Sequence, residues 1–119
     1  MRSIVLLAAL MAMRLAAIDA PVPTVSLCQA FANPAQFEGK QIRVSGLYEQ
    51  GFEKSALTAP GCASKAWVTN AGKITTKWAA PLDVVLVVRF HSGKAYGHLG
   101  QYPFLVEVLT VDSSKPIQQ

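Results

Sequence analysis

Apolar and polar residues alternate from Gln41 to Glu49, placing Ile42, Val44 and Tyr48 on one face, the period-two signature of a half-buried strand. Gly46 interrupts that run and predicts a bulge or a sharp coil. Shorter runs follow at Glu53–Thr58 and Ala66–Thr69, separated by the turn-forming Ala59-Pro60-Gly61-Cys62. Val84–Phe90 is almost continuously apolar and rich in valine, which predicts a strand covered on both faces. Tyr102–Val111 is the last and longest predicted strand. Ahead of them all, Pro21-Val22-Pro23 is extended and Ser26 has the character of a helix N-cap, with Gln29 three positions on. Leu27, Ala30 and Phe31 then share one face of a short helix that ends at Asn33-Pro34. Pro34 opens one further turn, with Phe37 pointing inward and Gly39 as a left-handed stop.

Five strands, one of them coiled, predict a mainly β chain folded as a small five-stranded OB-like barrel with a short N-terminal helix. A sandwich-like half-barrel is the alternative. Two connections are long. Asn70–Pro81 carries Lys73, Lys77 and Trp78, and His91–Gln101 carries Ser92, Gly93, Gly97 and Gly100. No internal repeat and no second domain are visible.

The first twenty residues have a different pattern. Arg2, the apolar Ile4–Ala12 and the small Ala16, Ala17 and Ala20 make Met1–Ala20 a signal peptide by pattern, leaving residues 21–119 as a single β-barrel domain. Arg14 interrupts the apolar stretch well short of the ~20 residues a spanning helix needs, so no transmembrane anchor is expected. The expected location is periplasmic or secreted. Removing Arg2, Arg14 and Asp19 from the 11 basic and 7 acidic residues leaves 9 against 6. That mild excess gives a weak preference for anionic partners (lipid, glycan or nucleic acid) and no dense basic tract.

Export makes a bond between Cys28 and Cys62, the two cysteines of the chain, the expected state. A loop of that length would contribute about 4 kcal/mol in the chain-entropy picture. The spacing is far wider than the C-x-x-C of redox pairs.

Candidates for chemistry are few. His91 and His98 are the two histidines, and no other ligand stands at a recognised metal spacing, so neither a metal nor a cofactor is expected. His98, inside Tyr96-Gly97-His98-Leu99-Gly100, is expected to bond loop backbone and fix the turn. Glu53 is expected to make a salt bridge or hydrogen bond that closes the barrel. There is no Gly-x-Ser-x-Gly, no phosphate-cradling glycine loop and no Cys/His nucleophile arrangement, hence no catalytic residue to nominate. Lys54, Lys65, Trp67, Lys73, Lys77 and Trp78 could form the basic and aromatic groove of a single-strand binder. The plainer expectation makes Trp67 core and has Trp78 packing its loop onto the barrel.

With these residues in view, the chain resembles a family of small exported bacterial proteins of uncharacterised activity. The shared pattern is Cys28 on a short helix, Asn33-Pro34, then Gly39-Lys40 before Ile42-Arg43-Val44-Ser45-Gly46. Glu53 and Leu57 precede Cys62, and Tyr-Gly-His-Leu-Gly-x-Tyr spans Tyr96 to Tyr102. The resemblance implies a compact β-rich fold and brings no activity, ligand or catalytic residue.

The leading functional expectation is an exported, non-catalytic binding or interaction module. Its candidate loop comprises Tyr96, Gly97, His98, Gly100 and Tyr102, with Glu53, Lys77 and Trp78 as further surface. The alternatives are a hydrolase using Glu53 or a metal held by His91 and His98, and a binder of single-stranded nucleic acid or another polyanion.

Overall fold

The structure is a computed structural model and describes residues 21–75 and 80–117. Met1–Ala20, the expected signal peptide, and the expected surface residues Lys77 and Trp78 lie outside the described residues. Helix α1 is Leu27–Ala32 and α2 is Pro34–Phe37. The strands are β1 Gln41–Gly51, β2 Lys54–Thr58, β3 Ala66–Thr69, β4 Leu82–His91 and β5 Phe104–Pro116. They close into a barrel in the order β1-β2-β3-β5-β4. All neighbours are antiparallel except β3 and β5, which run parallel. The described residues are thus mainly β, with an OB-like closed barrel and two short α-helices.

Each helix begins where the side chains favour it. Ser26 Oγ accepts the Gln29 N–H at 3.0 Å, satisfying a donor that the first turn of α1 leaves open. Proline at the first position of α2 costs no helical hydrogen bond there. Leu27, Ala30, Phe31 and Phe37 are buried against the barrel. Phe31 stacks on Phe104 at 4.5 Å between centroids and tilts against Phe90 at 6.5 Å. Inside the barrel sit Ile42, Val44, Leu57, Leu86, Val88, Val106 and Val108, all within 1% of complete burial. Cys28 and Cys62 are bonded, with 5.5 Å between their α-carbons, tying α1 to the β2–β3 connection.

One strand expectation is narrowed and one needs correction. Of the bulge or sharp coil expected at Gly46, the bulge is ruled out, since the register runs unbroken opposite Val84. At Leu47, β1 faces both β4 and β2, and a Cβ on Gly46 would stand 2.6 Å from the Thr58 carbonyl oxygen. Glycine is needed there for close backbone approach. The irregularities fall instead between Val85 and Leu86 and between Val87 and Val88, where β4 meets β5. Nor is β4 fully covered on both faces. Val84, Leu86, Val88 and Phe90 are buried inside and Val87 is buried on the other side, but Val85 is half-buried in a groove with Ser45 and Ser113.

Candidate functional site

The β1–β2 turn and the β4–β5 connection meet. Gly51 pairs with Lys54, so Phe52 and Glu53 form a two-residue turn. Glu53 has φ 59°, a left-handed value at the second turn position, where glycine or asparagine is the usual occupant. In the other connection, Tyr96 and Tyr102 exchange backbone hydrogen bonds of 2.8 and 3.1 Å. This bridge pinches off residues 97–101. Within that small loop Gly97 has φ 71° and ψ −161°, a region open essentially to glycine alone. Leu99 has φ 56°, left-handed without the freedom of glycine.

What holds the small loop down is Trp67. Its ring lies under Gly97 so closely that a Cβ there would stand 2.5 Å from the indole. Tyr102 meets the same ring edge-on at 5.1 Å, and Lys65 Nζ lies 4.5 Å from the Tyr102 centroid. Trp67 stands opposite Ala56 in the β2–β3 register and is half-buried, while its strand neighbours Ala66 and Val68 belong to the core. The expectation that Trp67 is core therefore needs amending. The indole lies on the outer face of the barrel, and the protein's own loop covers it.

His98 Nε2 lies 2.8 Å from Glu53 Oε2, joining the two connections. The histidine thus reaches a carboxylate on another element, where loop backbone was expected. Beside this pair, Lys54 bonds Glu49 at 3.3 Å. Directly adjoining the Glu53–His98 pair in sequence are Phe52, 87% exposed, and Leu99, 77% exposed. They are the two most exposed large apolar side chains among the described residues.

A second polar cluster secures the start of the same connection. Glu38, just past α2, accepts the Ser92 N–H at 2.6 Å and the Ser92 hydroxyl at 2.9 Å through Oε1. Its Oε2 faces His91 Nδ1 at 3.1 Å. The Ser92 backbone N–H, above all, holds the Glu38 carboxyl below the usual carboxylate value, outweighing the opposing effect of burial, with the Ser92 hydroxyl and His91 adding to it. Tyr96 donates to the Ser92 carbonyl at 2.9 Å, and burial, then the nearby Glu38 charge, raises its phenol. This cluster borders a groove of about 690 Å³ that Pro34, Lys94 and Phe104 also line.

Each histidine is therefore engaged by its own glutamate. Among the described residues no three His, Cys, Asp or Glu side chains converge as metal ligands would. Ser92 Oγ bonds a carboxylate directly and has no imidazole partner, so the relay of a serine nucleophile is not assembled. Among the described residues no helix is long and apolar enough to cross a membrane. No family model, curated protein or solved structure matches the chain.

Of the residues nominated from sequence, Glu53 and His98 come together, and Tyr96, Gly97, Gly100 and Tyr102 build the loop that presents His98. Phe52, Leu99 and Glu38 were missed. Phe52 and Leu99 carried a signal, each being a large apolar residue set among turn-formers. Glu38 carried none, because its partners lie more than fifty residues away in the chain.

Proposed function

We propose that this protein is an exported, non-catalytic binding module whose recognition surface is the junction of the β1–β2 turn and the β4–β5 connection. One observation carries this reading: the Glu53–His98 contact brings together two turns, each presenting an outward apolar side chain, Phe52 and Leu99. Exposed apolar groups that do nothing for the core, held on strained backbone, point to use outside the molecule. The disulfide supports an oxidising location, periplasmic or secreted. The covered Trp67 ring, with Gly97 and Tyr102 against it, turns us from the single-strand nucleic-acid reading, which needs open aromatic faces. The separate engagement of His91 and His98 likewise turns us from the hydrolase.

The test is photo-crosslinking in cells producing the full chain. Photoreactive side chains at positions 52 and 99 are expected to give discrete adducts, while the exposed positions 36 and 110 give none. Adduct yields no higher at 52 and 99 than at those two controls would overturn the proposal.

A further inference from the structure

Resting on that reading, we propose that the occupant of the junction is an anionic membrane surface. Phe52 and Leu99 insert among the lipids while Lys65 and Lys94 face the headgroups. The shape of the site favours this. Phe52 and Leu99 project from turns, and neither lines the groove beside Glu38 or the one beside Asp83. Two isolated side chains also fall far short of the roughly 800 Å² that a stable protein interface covers on each partner. A bilayer needs no shaped rim and accepts aromatic side chains at its boundary.

The charges agree. Glu49 is paired with Lys54, and Glu53 is held against the His98 imidazole. Lys65 lies over the Tyr102 ring, and Lys94 sits exposed in the loop that carries Leu99. Neither lysine has a carboxylate partner among the described residues, and Glu38, which shares a groove with Lys94, is taken up by Ser92 and His91. Among these residues, the ammonium groups of Lys65 and Lys94 are thus left without a carboxylate on the elements that carry or cover the apolar tips. The Glu53–His98 pair then has a double part. It holds the tips together and engages the Glu53 carboxylate next to Phe52 through an imidazole nitrogen.

The left-handed backbone at Glu53 and Leu99 fits the same picture. Each disfavoured φ lies in one of the two turns that carry the projecting side chains, and a Leu99 side chain so exposed returns little to the fold.

Co-sedimentation of the full chain with mixed phosphatidylglycerol–phosphatidylcholine vesicles tests the proposal. At low salt the protein is expected to pellet with these vesicles, and far less with phosphatidylcholine alone. Phe52→Ser and Leu99→Asn should each lower the partition coefficient by about tenfold or more. Lys94→Gln should lower it by about fivefold, and high salt should weaken binding of the unaltered chain. Both apolar positions are exposed, so their variants should fold, and unchanged thermal unfolding confirms that they do. Failure to pellet at low salt overturns the inference, as does undiminished pelleting of the Phe52→Ser, Leu99→Asn double variant. If vesicles fail while crosslinkers at 52 and 99 capture a protein, the membrane is wrong and the binding-module reading stands. If neither probe reports contact, both fall.

Discussion

At the helix-covered rim, Leu27, Ala30 and Phe31 turn every large apolar group inward, Phe31 against Phe90 and Phe104, and a disulfide locks the arrangement. At the junction of the two turns, Phe52 and Leu99 point to solvent, and what joins the turns there is a half-exposed imidazole–carboxylate contact of a kind contributing at most about 1 kcal/mol. The same residue types serve opposite ends. Where the chain needs cohesion it uses apolar area and covalency, and where apolar groups face out the fold derives little from them. The contrast separates residues whose loss should unfold the protein from those whose loss should only blunt its contacts.

The largest expected effect lies at the rim. Phe31→Ala should cost about 3–5 kcal/mol in urea unfolding, because it removes the ring between the helix and the barrel and leaves a cavity. A cost below about 1 kcal/mol would mean that the helix is not part of the cooperative unit. Replacing both cysteines with alanine should cost about 2–4 kcal/mol by the same measurement, with reductant having the same effect on the unaltered chain. Gly97→Ala should come next, at about 1–3 kcal/mol, since the new methyl group collides with the Trp67 ring. Its specific mark is a red-shifted tryptophan emission as the loop lifts away.

Glu38 gives an acid-side prediction. Its carboxyl is held below the ordinary value of 4.5 in the folded protein. It therefore contributes stability that is fully present above that value and is lost as pH falls through the lower folded one. Glu38→Gln should remove this part of the acid-side slope, with its full, pH-independent loss of stability near neutral pH and a shrinking loss as the pH falls. An identical slope in the variant would show that the Ser92 contacts do not favour the charged form. Least of all, Phe52→Ser should stay within about 0.5 kcal/mol of the unaltered protein. Leu99→Gly should stabilise by about 0.5–1 kcal/mol, as glycine relieves the left-handed backbone. A large loss in either would move the junction into the same class as the rim.

Much of the barrel was legible because burial in a sheet repeats every second residue. The alternation through Ile42 and Val44 and the valine run of β4 predict strands without any knowledge of their neighbours, and Ala66–Thr69 is the same segment in expectation and structure. Ends were less clear. β5 continues beyond Val111 to Pro116 because backbone pairing with β4, Ser113 opposite Val85 and Ser114 opposite Val84, carries it through polar residues. The Cys28–Cys62 bond was legible from their number and from the leader pattern. The junction was only half legible. The glycines around His98 marked a special loop, but nothing local tells that its imidazole reaches Glu53, forty-five residues earlier in the chain. Such a contact depends on barrel closure, and closure is not written in any one segment.

The parallel β3–β5 pairing has a kinetic consequence. Ala66 must find Phe104, and Ile42 must find Val88, before the wall is complete. Contacts so distant along the chain make for slow folding through a late, all-or-none step. No fragment lacking β5 can form the finished cylinder, so the valine-rich β4 stays unpaired on one edge until β5 is in place. Cys28 and Cys62 both precede β3, and their covalent union is free to occur during that wait, shortening the search that remains.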